Sequence, residues 1–209
     1  MAGADQLTGA RAAPDTAKAI ADWQGWIRDE RRASQHTLAA YSRDLNAFCG
    51  FLTEHLGRPP SLADLSELKL ADFRSFLARR SGEGLSHASM GRAMSTLRNF
   101  FRFLERSGKA HNSAIAAVRT PRPKPPIPKP LSEIEAIEVL AAIGEMSPTP
   151  WVGMRDQALF TLLYGCGLRI DEALGLNRGQ MPTGESMVIT GKGNKQRVVP
   201  VLPVVKKAL

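Results

Sequence analysis

Apolar side chains recur every three to four residues through much of the first half of the chain, which is the spacing of one face of an α-helix. One helix is predicted to begin at Ser34 and to end near Gly57, a shorter one to stop before Gly82, and another to run from about Ser86. Their inward positions, with those of an earlier segment, are Ile20, Trp23, Ile27, Leu38, Tyr41, Leu45, Phe48, Leu52, Phe73, Phe76, Leu77, Met90, Met94, Leu97, Phe101 and Leu104. These faces predict a small four-helix domain.

The pattern of apolar positions changes in the second half of the chain. Residues 155–164 read as a buried helix, Gly165 and Gly167 bracket a turn, and a second short helix follows from Arg169. Two β-branched stretches, 186–190 and 195–201, are joined by turn-forming residues, so they predict a β-hairpin with Lys192 near its tip. The predicted fold class is therefore mainly α with one small β-hairpin sheet.

Residues 119–130 separate these two patterns. Proline occupies 6 of the 12 positions, which removes amide donors and favours an extended path. Directly afterwards, Ser132 and Glu135 have the spacing of a helix-capping box, so a new helix starts there. The predicted organisation is a disordered tail at 1–16, a helical domain at 17–118, a basic linker at 119–130 and a second domain at 131–209.

The balance of charge indicates a class of partner. The chain has 28 Lys and Arg residues against 20 Asp and Glu, which gives a formal net charge of +8. Residues 1–118 carry +4, the linker carries a further +4, and residues 131–209 are neutral overall. Positive charge concentrated in this way is typical of proteins that bind nucleic acid.

Other features exclude several classes of protein. The chain has no apolar run near the roughly 20 residues that span a bilayer, and its first 16 residues lack the apolar stretch of a secretory signal. Two cysteines and four scattered histidines supply neither a disulfide framework nor a zinc cluster. We expect a cytoplasmic protein without a membrane partner, a metal or a cofactor.

Arg98, Arg102 and Arg106 repeat every four residues and therefore lie on one flank of their predicted helix. Such a row is often a solvated helix face. The context favours phosphate binding, because Glu105 alone offsets the row locally and small polar residues, including Ser95 and Asn99, accompany it. Arginines beside small polar groups suit contacts with DNA phosphates and base edges. The first domain is therefore predicted to bind DNA.

On spacing alone, Arg169 and Lys192 are each more typical of a structural role than of a catalytic one. Arg169 begins a helix in apolar surroundings and needs an anionic partner. Glu172, three residues later, would be that partner in a purely structural ion pair, and spacing alone favours this interpretation. Lys192 is typical of a charge that keeps a hairpin edge soluble. The Gly-Lys-Gly at 191–193 does not match a Walker phosphate loop.

Two segments of the second half resemble the tyrosine recombinases, most closely the XerC/XerD branch. They are Gly-x-Gly-Leu-Arg-Ile-Asp-Glu-Ala-Leu-Gly-Leu at 165–176 and Ile-Thr-Gly-Lys-Gly-Asn-Lys-Gln-Arg-Val-Val-Pro-Val at 189–201. Residues 34–48 and 89–104 resemble the helical, SAM-like core-binding domain of the same family. The likeness covers about 17–209, and the second domain matches the first part of an α-rich catalytic domain.

The resemblance implies site-specific DNA recombination through a covalent 3′-phosphotyrosyl intermediate, with no ATP, metal or cofactor. Arg169 would hold the non-bridging oxygens of the scissile phosphate, Glu172 would position that site, and Lys192 would protonate the departing 5′-hydroxyl. The residues expected to contact DNA are Thr37, Arg43, Arg92, Ser95, Arg98, Asn99, Arg102, Arg106, Arg122, Lys124, Lys195 and Arg197.

The resemblance also implies partners and a place in the cell. The partners are a duplex DNA recombination site and a second, XerD-like recombinase in a heterotetramer. The expected location is the cytoplasm, at the nucleoid, and the expected role is resolution of chromosome dimers for partition during cell division.

The sequence departs from the family at the nucleophile. The family pattern continues with His-x-x-Arg, a further His or Trp and a catalytic Tyr, whereas this chain has only Tyr41, at a core-facing position, and Tyr164, in the predicted buried helix. We therefore expect a C-terminally truncated recombinase that binds DNA without cleaving it. Three alternatives stay open: a non-catalytic or inhibitory protein that occupies recombination sites, a phage or plasmid integrase fragment, and an inert remnant in which only the first domain folds.

Overall fold

The computed structural model describes residues 11–120, 129–182 and 184–209, and for Lys192 it describes the backbone. The chain divides into two compact units, Met1–Pro125 and Pro126–Leu209. Helices dominate both units, and the second also contains a two-stranded antiparallel sheet. The predicted fold class, mainly α with a small β-hairpin sheet, is confirmed.

Four long helices and two short ones make up the described part of the first unit. They are α1 (Pro14–Asp29), α2 (Gln35–Leu56), α3 (Leu62–Glu67), α4 (Leu70–Gly82), α5 (His87–Arg106) and α6 (Ala114–Ala117). Ser34 caps α2 by accepting a hydrogen bond from the backbone N–H of Thr37, and Gly57 ends α2 with a φ of +71°, which glycine adopts without strain. Ser86 caps α5 in the same way. The helix ends predicted at Ser34, Gly57 and Ser86 are confirmed.

Aromatic side chains form the centre of the first unit's core. Trp23, Phe48, Phe73, Phe76 and Phe100 are each at most 1% exposed. The rings of Phe48 and Phe73 stack with centroids 5.8 Å apart, and Trp23 meets Phe100 edge to face at 5.5 Å. Such pairs stabilise the core beyond the area that they bury. The inward faces predicted for α1, α2, α4 and α5 therefore meet in one core.

The start of α1 differs from the predicted tail. Pro14 is the first residue of the helix, a position where its missing N–H costs nothing. Ala12 and Thr16 are buried, and the Asp15 carboxylate accepts a hydrogen bond from the backbone of Leu62 at 2.9 Å. The prediction of a disordered tail is therefore wrong for 11–16, because composition alone did not show that these residues pack. Residues 1–10 lie outside the described part.

In the described part of the second unit, beside 3₁₀ turns at Arg178–Gln180 and Lys192–Asn194, lie four α-helices and a hairpin. They are α7 (Glu133–Glu145), α8 (Pro150–Gly165), α9 (Ile170–Leu174), β1 (Ser186–Thr190), β2 (Gln196–Pro200) and α10 (Pro203–Ala208). The capping box predicted at Ser132 is present, since Ser132 and Glu135 each accept the other's backbone N–H. In the hairpin Val188 lies opposite Val198, and both are exposed.

Helix α8 is less buried than its sequence suggests. Phe160 is 41% exposed and Tyr164 is 51% exposed, so the prediction of a buried helix is wrong. Apolar side chains lie on all sides of α8, a pattern that indicates burial all round. Among the described residues, the fully buried positions of α8 are Gly153, Thr161 and Leu162.

Helices α7 and α8 cross at a pair of glycines. A Cβ atom on Gly153 would lie 2.2 Å from the backbone oxygen of Gly144, closer than two unbonded atoms approach in a packed interior. Nearby, the side-chain amide of Gln157 donates to the carbonyl oxygen of Leu140 at 3.2 Å. The hydrogen at position 153 therefore allows the two helix backbones to approach this closely.

Candidate active site

Arg169 sits on the turn between α8 and α9. Gly167 has a φ of +60°, which glycine adopts readily, and it redirects the chain so that Arg169 becomes the N-cap of α9. The Arg169 side chain is 70% exposed, and its Nη1 donates to Glu172 Oε1 at 2.9 Å. No other partner of this guanidinium is found among the described residues, so most of its N–H groups remain available to an anion.

Glu172 is the buried centre of the site. Its side chain is 5% exposed. Oε1 accepts from Arg169 Nη1 and from Arg197 Nη1 at 2.7 Å, and Oε2 accepts from the Arg169 backbone N–H at 2.8 Å and from Arg197 Nη2 at 2.7 Å. The hydrogen bonds from Arg197, followed by the one from the Arg169 backbone, hold the pKa of Glu172 far below its ordinary value of 4.5. Glu172 is therefore ionised at neutral pH.

Arg197 joins the hairpin to this turn. It lies on β2 opposite Ile189, its side chain is 35% exposed, and both of its terminal nitrogens donate to Glu172. Its Nη2 also lies 3.5 Å from the carbonyl oxygen of Gly167. This fork-shaped contact matches the planar guanidinium to the planar carboxylate. The Arg197 guanidinium, predicted to contact DNA, is thus engaged within the protein.

The turn that carries Lys192 rests on the same ion pair. It is closed by a hydrogen bond from Gly191 N to Lys195 O at 2.8 Å. A Cβ atom on Gly191 would lie 2.7 Å from Glu172 Oε1 and 3.7 Å from Arg169 Nη1. The residue just before Lys192 is therefore in contact range of the Arg169–Glu172 pair. The side chain of Lys192 is outside what the structure describes.

Several residues predicted to contact DNA have partners within the first unit. Arg92 donates through Nε and Nη2 to the buried carboxylate of Asp44, and Arg98 donates to the carbonyl oxygen of Val118 at 2.7 Å. Asn99 accepts the indole N–H of Trp23 at 2.8 Å. These three side chains stabilise packing, and their role toward DNA stays a prediction.

The rest of the predicted row has varied surroundings. The Arg106 guanidinium lies 5.5 Å from the ring centroid of Trp26. Arg102 is exposed and, with Arg98, lines a surface cavity of about 330 Å³ at α5 and α6. The three arginines are therefore not one uniformly solvated stripe, because two of them contact the folded unit.

The remaining predicted contacts fall into three groups. Arg43, Ser95 and Lys195 are exposed. Thr37 is half-buried, and its hydroxyl lies 2.9 Å from that of Ser34. Arg122 and Lys124 lie outside the described residues, as does most of the predicted linker. The described ranges contain no cluster of His, Cys, Asp or Glu suited to a metal ion. They also contain no helix long and apolar enough to cross a membrane.

Family models match both units. Residues 20–108 match the N-terminal SAM-like domain of phage integrases, and residues 134–209 match the phage integrase family itself. The chain belongs to the phage integrase family. Its curated relatives include the tyrosine recombinase XerC of Rhodospirillum centenum, which is 48% identical over 210 residues. They also include XerC of Brucella suis, which is 46% identical over 197 residues. These alignments cover 100% and 93% of the chain and 62% of each relative.

Solved structures of integrase-family proteins share its fold. A λ integrase tetramer bound to a Holliday junction aligns with a TM-score of 0.65 at 17% identity, over 90% of this chain and 51% of the other. The XerH site-specific recombinase bound to a palindromic difH substrate aligns with a TM-score of 0.63 at 18% identity, over 90% and 55%. At such identities the likeness concerns the fold alone.

Gly191 is the site residue that sequence reasoning missed. The pattern at 191–193 indicated a turn, and the glycine before Lys192 was assigned no further role. The structure brings its backbone against Glu172, which comes nineteen residues earlier in this integrase-family chain. A glycine that allows close approach has the same signal in the sequence as one that only permits a turn.

Proposed function

We propose that this chain takes part in site-specific DNA recombination and that its second unit binds the phosphate at which a DNA strand is cut. The observation that carries the proposal is the exposed Arg169 guanidinium, fixed at one nitrogen by Glu172 and lying beside the turn that bears Lys192. A fixed guanidinium with free N–H groups suits the two non-bridging oxygens of a phosphodiester.

Each of the three residues has a role in this proposal. Arg169 stabilises the negative charge that builds on the phosphate oxygens as a nucleophile adds to phosphorus. Lys192 gives a proton to the 5′ oxygen as its bond to phosphorus breaks. Glu172 contacts neither the phosphate oxygens nor the 5′ oxygen, and its role is to position Arg169. This chemistry consumes no nucleotide cofactor, because the phosphate passes from one ester linkage to another.

We propose duplex DNA as the partner of both units. The relatives named XerC, and the DNA-bound λ integrase and XerH, support this assignment. In the first unit the exposed Arg43, Ser95 and Arg102 are the proposed contacts. The linker 119–130 and Lys195 would add positive charge, and Arg122 and Lys124 in the linker would contact phosphates.

The XerC relatives also support a finer proposal. The chain would act with a second, XerD-like recombinase in a heterotetramer at the nucleoid, where it would resolve chromosome dimers. The chain spans 62% of the length of these relatives, so this assembly and the complete reaction are proposals for the whole protein.

Selection from a pool of random duplexes tests the site-specific part of the proposal. The 209-residue chain is expected to enrich one sequence, which footprinting then maps. If no sequence is enriched over the starting pool, site-specific recognition by this chain is contradicted.

A phosphate-replacement cycle then tests Arg169 itself. Single phosphates of the enriched duplex are replaced by neutral methylphosphonates, one position at a time. Arg169→Ala should weaken binding of the unmodified duplex by about tenfold, the size of one charge-assisted hydrogen bond. At one position the replacement should remove this difference. Arg178→Ala, which deletes an exposed guanidinium of the same unit, is the matched control. If Arg169→Ala and Arg178→Ala respond in the same way to replacement of every phosphate, the assignment of Arg169 to one phosphate is refuted.

A second candidate, DNA binding without cleavage by these 209 residues, is favoured by the surroundings of the two tyrosines. Tyr41 stacks on Trp23 in the first unit with ring centroids 6.0 Å apart. Tyr164 is exposed on α8, outside the two segments that resemble the family's catalytic motifs. Incubation with a nicked suicide substrate should therefore give no covalent adduct, and an adduct mapped to Tyr41 or Tyr164 would exclude this candidate.

A further inference from the structure

We propose that Arg197 is a positioning residue, which occupies Glu172 so that the Arg169 guanidinium stays available to a phosphate. The inference rests on the proposed function, because it concerns how the phosphate-binding arginine is kept competent. Arg197 itself is half-buried against Glu172. In this proposal it acts on the reaction only through the carboxylate that it holds.

The hydrogen bonds of Glu172 carry the argument. An isolated arginine and carboxylate readily form two parallel hydrogen bonds. Arg169 forms one such bond through its side chain, because Arg197 takes one position on each oxygen of Glu172 and the Arg169 backbone takes another. Without Arg197, a nearly buried carboxylate would have two vacant acceptor positions beside Arg169. The Arg169 side chain would then turn toward Glu172 and compete with phosphate for its own N–H groups.

Gly191 supplies an independent observation. Its missing side chain leaves the space in which Glu172 Oε1 receives both arginines, since a Cβ there would lie 2.7 Å from Oε1 and 3.4 Å from Arg197 Nη1. Gly191 and Arg197 flank the Lys192 turn on its two sides. The contact that keeps Arg169 available therefore also fixes the base of the turn that carries Lys192.

Phosphate titration followed by NMR tests this role on the 209-residue chain. The chain is labelled with ¹⁵N-arginine, the Nε–Hε signal of Arg169 is assigned with Arg169→Lys, and inorganic phosphate is the probe. Arg197→Gln should weaken phosphate binding at Arg169 by about tenfold, the equivalent of one lost charge-assisted hydrogen bond. Arg178→Gln makes the same change of charge in the same unit and should alter the affinity by less than about twofold.

Two further variants keep the test decisive if Arg197→Gln does not fold. Arg197→Lys retains the charge but offers no planar fork, so it should recover only part of the affinity. Gly191→Ala leaves every charge in place and displaces Glu172, so it should also weaken phosphate binding at Arg169. A residue that served packing alone would lower thermal stability in these variants without changing the phosphate affinity of Arg169.

The outcomes separate the two proposals. If the Arg169 signal of the unaltered chain does not respond to phosphate, the proposed phosphate site is wrong. If it responds, but Arg197→Lys and Gly191→Ala bind phosphate like the unaltered chain, the phosphate site stands and the positioning role of Arg197 is refuted. Weaker binding in both variants, with Arg178→Gln unchanged, supports the positioning role.

Discussion

Replacing Gly153 by alanine should destabilise the second unit, although alanine is the better helix former. The added Cβ would lie 2.2 Å from the backbone oxygen of Gly144, so α7 and α8 must separate by about 1 Å to reach an ordinary contact distance. Overpacking of this kind costs about 1–3 kcal/mol. The gain in helix propensity returns up to about 1 kcal/mol. With the overpacking cost at the upper end of its range, we expect the second unit to lose about 2 kcal/mol of stability on balance.

Gly144→Ala is the matched control, because it changes the other glycine of the same crossing. Its Cβ would lie 3.5 Å from the Gln157 side chain, an ordinary van der Waals contact. This variant keeps the gain in helix propensity without the clash, so it should stabilise α7 by about 0.5–1 kcal/mol. Two identical chemical changes are thus expected to have opposite signs.

Hydrogen exchange of backbone amides measures both effects within the intact chain. A loss of about 2 kcal/mol speeds exchange by about 30-fold where exchange follows unfolding of the unit. Peptides from α7 and α8 should show this acceleration in Gly153→Ala and slower exchange in Gly144→Ala, while peptides from α2 and α5 stay unchanged. Slower exchange of α7 and α8 in Gly153→Ala would refute the argument from close helix approach.

Two further predictions concern buried polar contacts. Asn99→Ala should lower the free energy of unfolding of the first unit by about 1–3 kcal/mol, because the indole N–H of the fully buried Trp23 loses its acceptor. Urea denaturation measures this loss. The control is Ser95→Ala, at an exposed position, which should change the free energy of unfolding by less than about 0.5 kcal/mol. Because the pKa of Glu172 is lowered from 4.5, its contribution to stability is present above pH 4.5 and is lost as the pH falls toward the folded-state value. Protection factors of second-unit amides, which correct for the pH dependence of the intrinsic exchange rate, should therefore fall with acid more steeply in the unaltered chain than in Glu172→Gln. Equal acid dependence of the two would contradict a lowered pKa.

Local signals in the sequence predicted much of the fold. Ser34 and Gly57 mark the ends of α2 because capping and left-handed backbone depend on neighbouring residues alone. The hairpin at 186–200 is readable for the same reason, since a turn sequence joins two β-branched stretches. Arg169 and Glu172 were paired from their helical spacing, and the structure brings them together.

Contacts between distant parts of the chain were beyond the sequence. Arg98 was predicted to belong to a phosphate-binding row with Arg102 and Arg106, and Arg92 was predicted to contact DNA. In the structure Asp44 engages Arg92 from 48 residues away, and Val118 engages Arg98 from 20 residues away. Arg197 likewise follows Glu172 by 25 residues. No periodicity connects such pairs, so only the tertiary structure identifies which arginines are already partnered within the protein.

The distribution of aromatic rings gives the two units separate optical signatures. The rings of Trp23, Phe48 and Phe100 are locked in a chiral, close-packed cluster, whereas Trp151 of the second unit is 60% exposed. Near-ultraviolet circular dichroism, which requires fixed aromatic packing, will therefore report the melting of the first unit. A soluble quencher reaches Trp151 in the folded protein but not the fully buried Trp23, so quenching in the native state separates the emission of the second unit from that of the first unit's core.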